Sequence, residues 1–249
     1  MKGMYRIPFE KHPYINLLSY LWYMVIMYIS ANGVLIMFDE VLSLQSAQHI
    51  FKLQYDQDVE NPRSGEYGDN ISHFVIPSYK YSTGECQDKV NDVLRKVAKA
   101  LGFAVYGKTN RELIEAFLES KNKQIGRYIE IQPLYVYDHS GVTYSTSPFH
   151  CRWDSGQVGW VFTTRYDYQN FGLKEKFNPE SARKKIEQEV EHWDNYAQGN
   201  TYYFTVEDHE GEILESVGGF IGDYREVTKM IIDEYLLDYP DIVALKDNI

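Results

Sequence analysis

The chain has 249 residues, of which 44% are hydrophobic, and its formal net charge is −11. This length and composition suffice for one large domain with its own core, so disulfide bonds and structural metals are not required for folding. An acidic surface repels nucleic-acid phosphates, which argues against unspecific nucleic-acid binding and favours basic partners. The chain contains two cysteines, Cys86 and Cys151, and this usage is typical of a reducing compartment.

The N-terminal part of the chain contains an uncharged, mostly apolar run at 14–38 that is long enough to cross a membrane. Three interpretations stay open: a transmembrane anchor, a buried core element, and a mis-assigned start with translation beginning at Met37. Aromatic residues are scattered through the run instead of lying at its two edges, which favours a mis-assigned start or a dispensable extension. We therefore expect an apolar extension at 1–38 and a single α+β domain at 39–249.

Hydrophobic periodicity predicts the elements of the first half of the domain. Alternating apolar residues predict a strand at 49–58, followed by a polar loop at 59–70 and a short strand at 73–77. Apolar residues three and four apart predict a helix at 86–102. A second helix begins with a capping box formed by Thr109 and Glu112, and its expected buried face consists of Leu113, Ile114, Phe117 and Leu118.

The second half contains hairpins and two longer helices. The sequence first predicts two strands joined by a turn, at 127–138 and 142–147, and a further strand at 157–164. A helix follows, which is capped by Asn178 and ended by Gly199. The last predicted elements are a hairpin of 201–208 with 212–217, a turn at 218–222 and a helix at 223–237. Because hairpins dominate and regular strand–helix alternation is absent, the predicted fold class is α+β, with a largely antiparallel sheet packed against about four helices.

Chemistry-bearing side chains are concentrated in one stretch at 137–160, YDHSGVTYSTSPFHCRWDSGQVGW. A nucleophilic cysteine needs a base within hydrogen-bond reach and a group that orients the base. Cys151 is the candidate nucleophile, His139 or His150 the candidate base, and Asp138 or Asp154 the candidate orienting group. Further candidates for binding are Ser140, Ser155, Gln157, Asp69 and Asn70. We expect no cofactor, and no metal, because metal-ligand spacings such as HxH, HExxH or CxxC are absent from the sequence.

A purely structural interpretation of the same stretch is favoured over the catalytic one. Cys151 lies between Phe149 and Trp153, an aromatic neighbourhood that predicts a desolvated and inert thiol. Asp138 and Ser140 then hydrogen-bond within their own turn. The tryptophans of the domain are expected in the core: Trp153, Trp160 and Trp193.

The stretch LYVYDHSGVTYSTSPFHCRWDSGQVGWVF resembles the hallmark of a family of uncharacterised proteins carried by bacteriophages, prophages and plasmids. The hallmark of that family reads LYLYDHSG, then STSPF, a cysteine and WDSGQ-G. Weaker likenesses, among them YDQDVENPR and EYGDN, extend the resemblance over about 51–236. Because that family has no settled activity, the resemblance implies a mobile-element origin more than a chemistry.

Two hypotheses of different class follow from the sequence. The first is an accessory protein of a phage or mobile element that binds a host or phage protein, for example to inhibit host defence, in the cytoplasm of the host cell. In that hypothesis a membrane location applies only if 14–38 act as an anchor. The second is a small hydrolase or transferase with a Cys/His/Asp site around 138–155. Convergence of these side chains on a pocket would favour the enzyme.

Overall fold

The computed structural model describes residues 40–64, 70–173 and 175–249. The predicted extension at 1–38 lies outside the described residues. None of the helices in the described ranges is long and apolar enough to span a membrane.

The described residues form eight strands and several helices. The strands are β1 (Glu40–Gln45), β2 (His49–Tyr55), β3 (His73–Val75), β4 (Ile129–Asp138), β5 (Val142–Ser145), β6 (Ser155–Thr164), β7 (Thr201–Asp208) and β8 (Ile213–Ile221). The α-helices are α1 (Gln87–Ala100), α2 (Asn110–Glu119), α3 (Arg165–Asn170), α4 (Pro179–Ala197), α5 (Tyr224–Glu234) and α6 (Pro240–Val243). Short 3₁₀ turns occur at Tyr79–Tyr81, Ile125–Arg127 and Lys246–Asn248.

The strands pair into two separate four-stranded sheets. The first has the order β1-β2-β7-β8 and the second the order β3-β6-β4-β5. Every pairing in both sheets is antiparallel. The α+β class that the sequence predicts is therefore confirmed, and its strands are divided between two sheets.

The first sheet packs one face against the C-terminal helices α5 and α6. Phe51 of β2 and Phe204 of β7 are both fully buried, and their rings stack with centroids 5.9 Å apart. Ile231 and Ile232 of α5 and Ile242 of α6 complete the same cluster. Burial of these side chains stabilises this half of the fold by roughly 1.5–3 kcal/mol for each large residue.

The second sheet is covered by helices on both faces. Successive residues of a strand point to opposite faces, and on β3 Phe74 packs with α4 while Val75 packs with α1 and α2. On β6, Val161 packs with α4, and Phe162 packs with α1 and α2. The sheet that carries the candidate site is thus the middle layer of three.

Three helix termini have the capping or terminating residues that the sequence predicts. Thr109 and Glu112 form the capping box of α2, and the Asn178 side chain accepts a hydrogen bond from the Ser181 backbone at the start of α4. Gly102 adopts a φ of 78°, just after α1, a conformation that ends a helix at low cost for glycine.

Two local predictions are wrong. The turn expected at 218–222 is largely strand, because β8 stays paired with β7 as far as Ile221. A shift in the pairing register accommodates the glycines within the strand. Leu118 was expected in the buried face of α2, but it is exposed, because only the stripe formed by Leu113, Ile114 and Phe117 faces the sheet.

Candidate functional site

The β4–β5 turn and the loop at 146–154 lie side by side at one end of the second sheet. The Asp138 backbone N–H donates to the Asp154 carbonyl at 2.7 Å, which fixes the end of the loop beside the turn. In the turn, Ser140 has a φ of 60° and is the one non-glycine residue with positive φ in the described ranges. This left-handed conformation is uncommon for serine and belongs to a tight turn.

Asp138 does not face the thiol. Its carboxylate accepts hydrogen bonds from Lys80 and, at 3.0 Å, from the Tyr81 hydroxyl. These hydrogen bonds, that of Lys80 first, hold the pKa of Asp138 below its ordinary value. Asp138 therefore ties the 3₁₀ turn Tyr79–Tyr81 to the β4–β5 hairpin, which is a structural role.

Three of the other four catalytic candidates, His139, Cys151 and Asp154, do meet, with Asp154 in the middle. The His139 Nδ1 atom lies 3.3 Å from Asp154 Oδ2, and the Cys151 Sγ atom lies 3.9 Å from the same oxygen. His139 and Asp154 are well exposed, at 64% and 41% of their side-chain surface. His150, the other candidate base, is exposed, and its side chain makes no hydrogen bond with the Cys151 thiol in the described structure.

These contacts differ from the contacts in the site of a nucleophilic cysteine. Catalysis requires the base to touch the thiol and the carboxylate to touch the base, whereas here the carboxylate contacts both the thiol and the imidazole. A shallow cleft of about 250 Å³ opens beside the turn, and of the five catalytic candidates its lining includes only His139. The candidates therefore cluster without converging on a pocket.

Trp153 contradicts the prediction of a core position, because its side chain is 95% exposed. Cys151 is only half-buried, so the desolvation expected from its aromatic neighbours is also wrong. Two contacts hold the end of the loop that bears the indole: the Asp138–Asp154 backbone bond and the hydrogen bond from Ser155 Oγ to the Cys151 carbonyl.

Three aromatic side chains contact one another at the end of the sheet that carries the loop of Trp153. The Tyr137 ring lies 5.9 Å from the His139 ring and 5.8 Å from the Phe149 ring, measured between centroids. We call the residues of this region the turn surface: Tyr137, His139, Phe149, Cys151, Trp153 and Asp154. The turn Tyr79–Tyr81 borders it through the Lys80–Asp138 contact, and Tyr79 there is 95% exposed.

The remaining binding candidates are not assembled into one site. Ser155 and Gln157 use their side chains locally, Gln157 donating to the Gly159 carbonyl at 3.1 Å. Asn70 donates to the Pro62 carbonyl at 2.6 Å and makes no contact with the turn surface. Asp69 lies outside the described residues.

A buried ionic cluster around β3 was not predicted from the sequence. The Arg63 guanidinium is buried, donates to the Ser72 carbonyl at 2.8 Å and reaches Glu189 of α4 at 3.0 Å. Glu189 also accepts the backbone N–H groups of Ile71 and Ser72. Each buried charge thus has a partner, which is the condition for burying charge without a large penalty.

His73 is the second cation of this cluster. Its Nδ1 and Nε2 atoms each lie 3.1 Å from a carboxylate, Glu85 and Asp167 respectively. Burial alone lowers the pKa of His73, but the hydrogen bonds and charges of the two carboxylates outweigh burial and raise the pKa to about 9. His73 is therefore an imidazolium near neutral pH, and its role is to pin β3 to α3 and to the segment before α1.

Within the described ranges, no group of three or more His, Cys, Asp and Glu side chains is placed to hold a metal ion. No family model, curated protein or solved structure matches the chain. The resemblance to phage and plasmid proteins therefore stays a prediction.

Proposed function

We propose that this protein acts by binding a protein partner through the turn surface, with Trp153 as the anchor. The observation that carries the proposal is an indole that is 95% exposed although the loop that bears it is held by backbone and side-chain hydrogen bonds. Tryptophan is among the residues enriched in binding hot spots, where covering an aromatic side chain supplies much of the affinity.

Two further features support a binding function. The turn surface combines the indole with the rings of Tyr137 and Phe149 and with the imidazole of His139. Interfaces are enriched in such aromatic residues. The net charge of −11 favours a partner with basic groups around its binding site, because complementary charge speeds association.

The resemblance to proteins of phages and plasmids indicates the biological setting in which we expect this binding. We propose an accessory protein of a phage or mobile element that binds a host factor in the bacterial cytoplasm, for example a component of host defence. This part of the proposal rests on the YDHSG, STSPF and WDSGQ motifs, since they are what relates the chain to mobile elements.

Capture from a bacterial host lysate tests the proposal with three immobilised chains: wild type, Trp153→Ala and Tyr106→Ala. Tyr106 is 99% exposed and lies between α1 and α2, so it controls for the general stickiness of an exposed aromatic residue. We expect at least one host protein to be retained by wild type and by Tyr106→Ala and lost with Trp153→Ala. Equal retention by all three chains contradicts the proposal.

A small hydrolase or transferase is the second candidate function, favoured by the proximity of His139, Asp154 and Cys151. Alkylation with iodoacetamide distinguishes the two functions, and the exposed Cys86 serves as an internal reference. The Asp154 carboxylate is the recorded side-chain partner of the Cys151 thiol, and no imidazole or cation contacts the thiol in the described structure. We therefore expect Cys151 to react no faster than Cys86 at neutral pH. Labelling of Cys151 at least about tenfold faster than Cys86 would support an activated nucleophile instead.

A further inference from the structure

A second concave region lies on the second half of the fold, away from the turn surface. It has a volume of about 480 Å³, which is within the usual range for small-molecule sites. Its walls come from the 3₁₀ turn Ile125–Arg127, from α3 and from the segment that precedes α4. The lining consists of Arg127, Arg165, Tyr168, Gln169, Leu173, Glu175, Lys176 and Phe177.

The charge of this cleft is opposite to that of the whole protein. Arg127, Arg165 and Lys176 line it, and none of the three is paired with a carboxylate in the described part of the chain. Glu175 is the one acidic residue of the lining, and its carboxylate lies 3.3 Å from the Lys185 ammonium. The described residues of the lining therefore carry a net charge of +2, in a chain whose net charge is −11.

Arg165 is held in place by aromatic rings instead of by acidic groups. Its guanidinium carbon lies 4.9 Å from the centre of the Tyr128 ring and 5.9 Å from that of Tyr166. Cation–π contacts of this kind position the guanidinium group but leave its N–H groups available. Neither Arg165 nor Arg127 donates a side-chain hydrogen bond to any described residue.

We propose that this cleft binds a small phosphate monoester of about mononucleotide size. A phosphate monoester carries a charge close to −2 at neutral pH, which matches the charge of the lining, whereas a monocarboxylate leaves positive charge uncompensated. Guanidinium groups bind phosphate with paired, parallel hydrogen bonds. The apolar walls formed by Leu173 and Phe177 accommodate a planar organic group, and the Gln169 amide supplies polar contacts at the rim.

This site does not depend on the proposed partner binding at the turn surface. The two regions share no residue. A protein that fails to bind a partner through Trp153 can still bind the phosphate monoester, and the reverse also holds.

Isothermal titration calorimetry at low ionic strength tests the proposal with the full chain and three probes: adenosine monophosphate, adenosine and inorganic phosphate. We expect adenosine monophosphate to bind, and adenosine to bind at least about tenfold more weakly, because adenosine lacks the charge-assisted hydrogen bonds. We expect Arg127→Gln to weaken the binding of adenosine monophosphate by about tenfold or more. Arg127 makes no side-chain hydrogen bond or ion pair within the described structure, so this variant keeps the fold.

Arg111→Gln is the matched control, because it removes an exposed arginine of α2 that does not line the cleft. It should bind adenosine monophosphate as wild type does. Absence of binding up to millimolar adenosine monophosphate, equal binding of adenosine, or wild-type affinity of Arg127→Gln each overturns the proposal. Binding of an Asp- and Glu-rich peptide without binding of adenosine monophosphate also overturns it and assigns the cleft to a protein ligand.

Discussion

Trp153 and Trp193 show how one residue type serves two purposes in this protein. Trp193 of α4 is 5% exposed and packs edge-on against the rings of Phe74 and Tyr144, with centroids 6.4 and 5.9 Å away. Trp153 is 95% exposed and is absent from every buried cluster of the described chain. The first therefore contributes to folding, and the second is available for binding.

The two tryptophans predict opposite effects of the same substitution on stability. Trp193→Ala removes a large core side chain and should lower the free energy of unfolding by about 3–5 kcal/mol. Trp153→Ala removes no buried contact and should change it by less than about 0.5 kcal/mol. Urea unfolding of both variants measures the difference. A loss of stability with Trp153→Ala that approaches the loss with Trp193→Ala would mean that the indole belongs to the core.

At the scale of elements, β6 is the strand on which the second sheet depends. It pairs with β4 along its length and with β3 on its other side. The contact with β3 is close at Gly159, where a Cβ atom would overlap the Val75 carbonyl oxygen. A side chain at this position therefore forces the two backbones apart, and β3 carries both Phe74 and His73.

Two glycines of β6 give a matched pair for testing this close approach. Gly159→Ala introduces the overlap with Val75 and should lower the free energy of unfolding by about 1–3 kcal/mol, as overpacking does. Gly156→Ala is the control, because a Cβ atom there meets no atom within 4 Å. Thermal unfolding of the two variants checks the prediction. Equal melting temperatures would show that β3 and β6 can move apart without a loss of stability.

Sequence reasoning predicts those elements whose signals are local. The capping box of Thr109 and Glu112 and the cap at Asn178 each lie within four residues, so the pattern is visible in the sequence. The helix α3 was not predicted, because its six residues are too few to show a helical period. The division into two sheets was also not predicted, because β2 pairs with β7, which lies about 150 residues later in the chain.

The candidate site was predictable only in part. The turn after Asp138 that joins two strands was predicted, and His139 in that turn lies beside Asp154. The exposure of Trp153 was missed, because an aromatic residue between polar neighbours is typical of core and surface alike. The buried ionic cluster draws on separate segments, since Arg63, His73, Asp167 and Glu189 become neighbours only in three dimensions.

On the scale of the whole molecule, the ionic cluster links elements that are distant in sequence. Arg63 joins the loop after β2 to α4, and His73 joins β3 to Asp167 of α3 and to Glu85. Removing one partner of such a buried pair leaves an uncompensated charge, which is strongly destabilising. The stability of the fold is therefore coupled to the protonation of His73.

This coupling predicts a pH dependence of stability. The pKa of His73 is raised from 6.5 to about 9 in the folded protein. Its contribution is therefore fully present below pH 6.5 and is lost as the pH rises through about 9. We expect the free energy of unfolding to decrease by on the order of 3 kcal/mol across this window. Urea unfolding at a series of pH values measures the decrease.

His73→Gln is the variant that isolates this effect, because glutamine does not titrate. The variant should be less stable than wild type near pH 6, and its stability should lack the decrease that His73 causes. The two proteins differ at this residue alone, so the difference between the two curves reports His73. Parallel curves for wild type and His73→Gln would contradict the assignment.

Binding of a partner through the turn surface is tested by the dissociation constant of the partner identified by capture. Calorimetric titration of that partner into wild type, Trp153→Ala and Tyr106→Ala gives three values under one set of conditions. We predict a dissociation constant at least about 30-fold higher for Trp153→Ala, as expected of a hot-spot tryptophan, and a wild-type value for Tyr106→Ala. Equal affinity of wild type and Trp153→Ala would contradict the account.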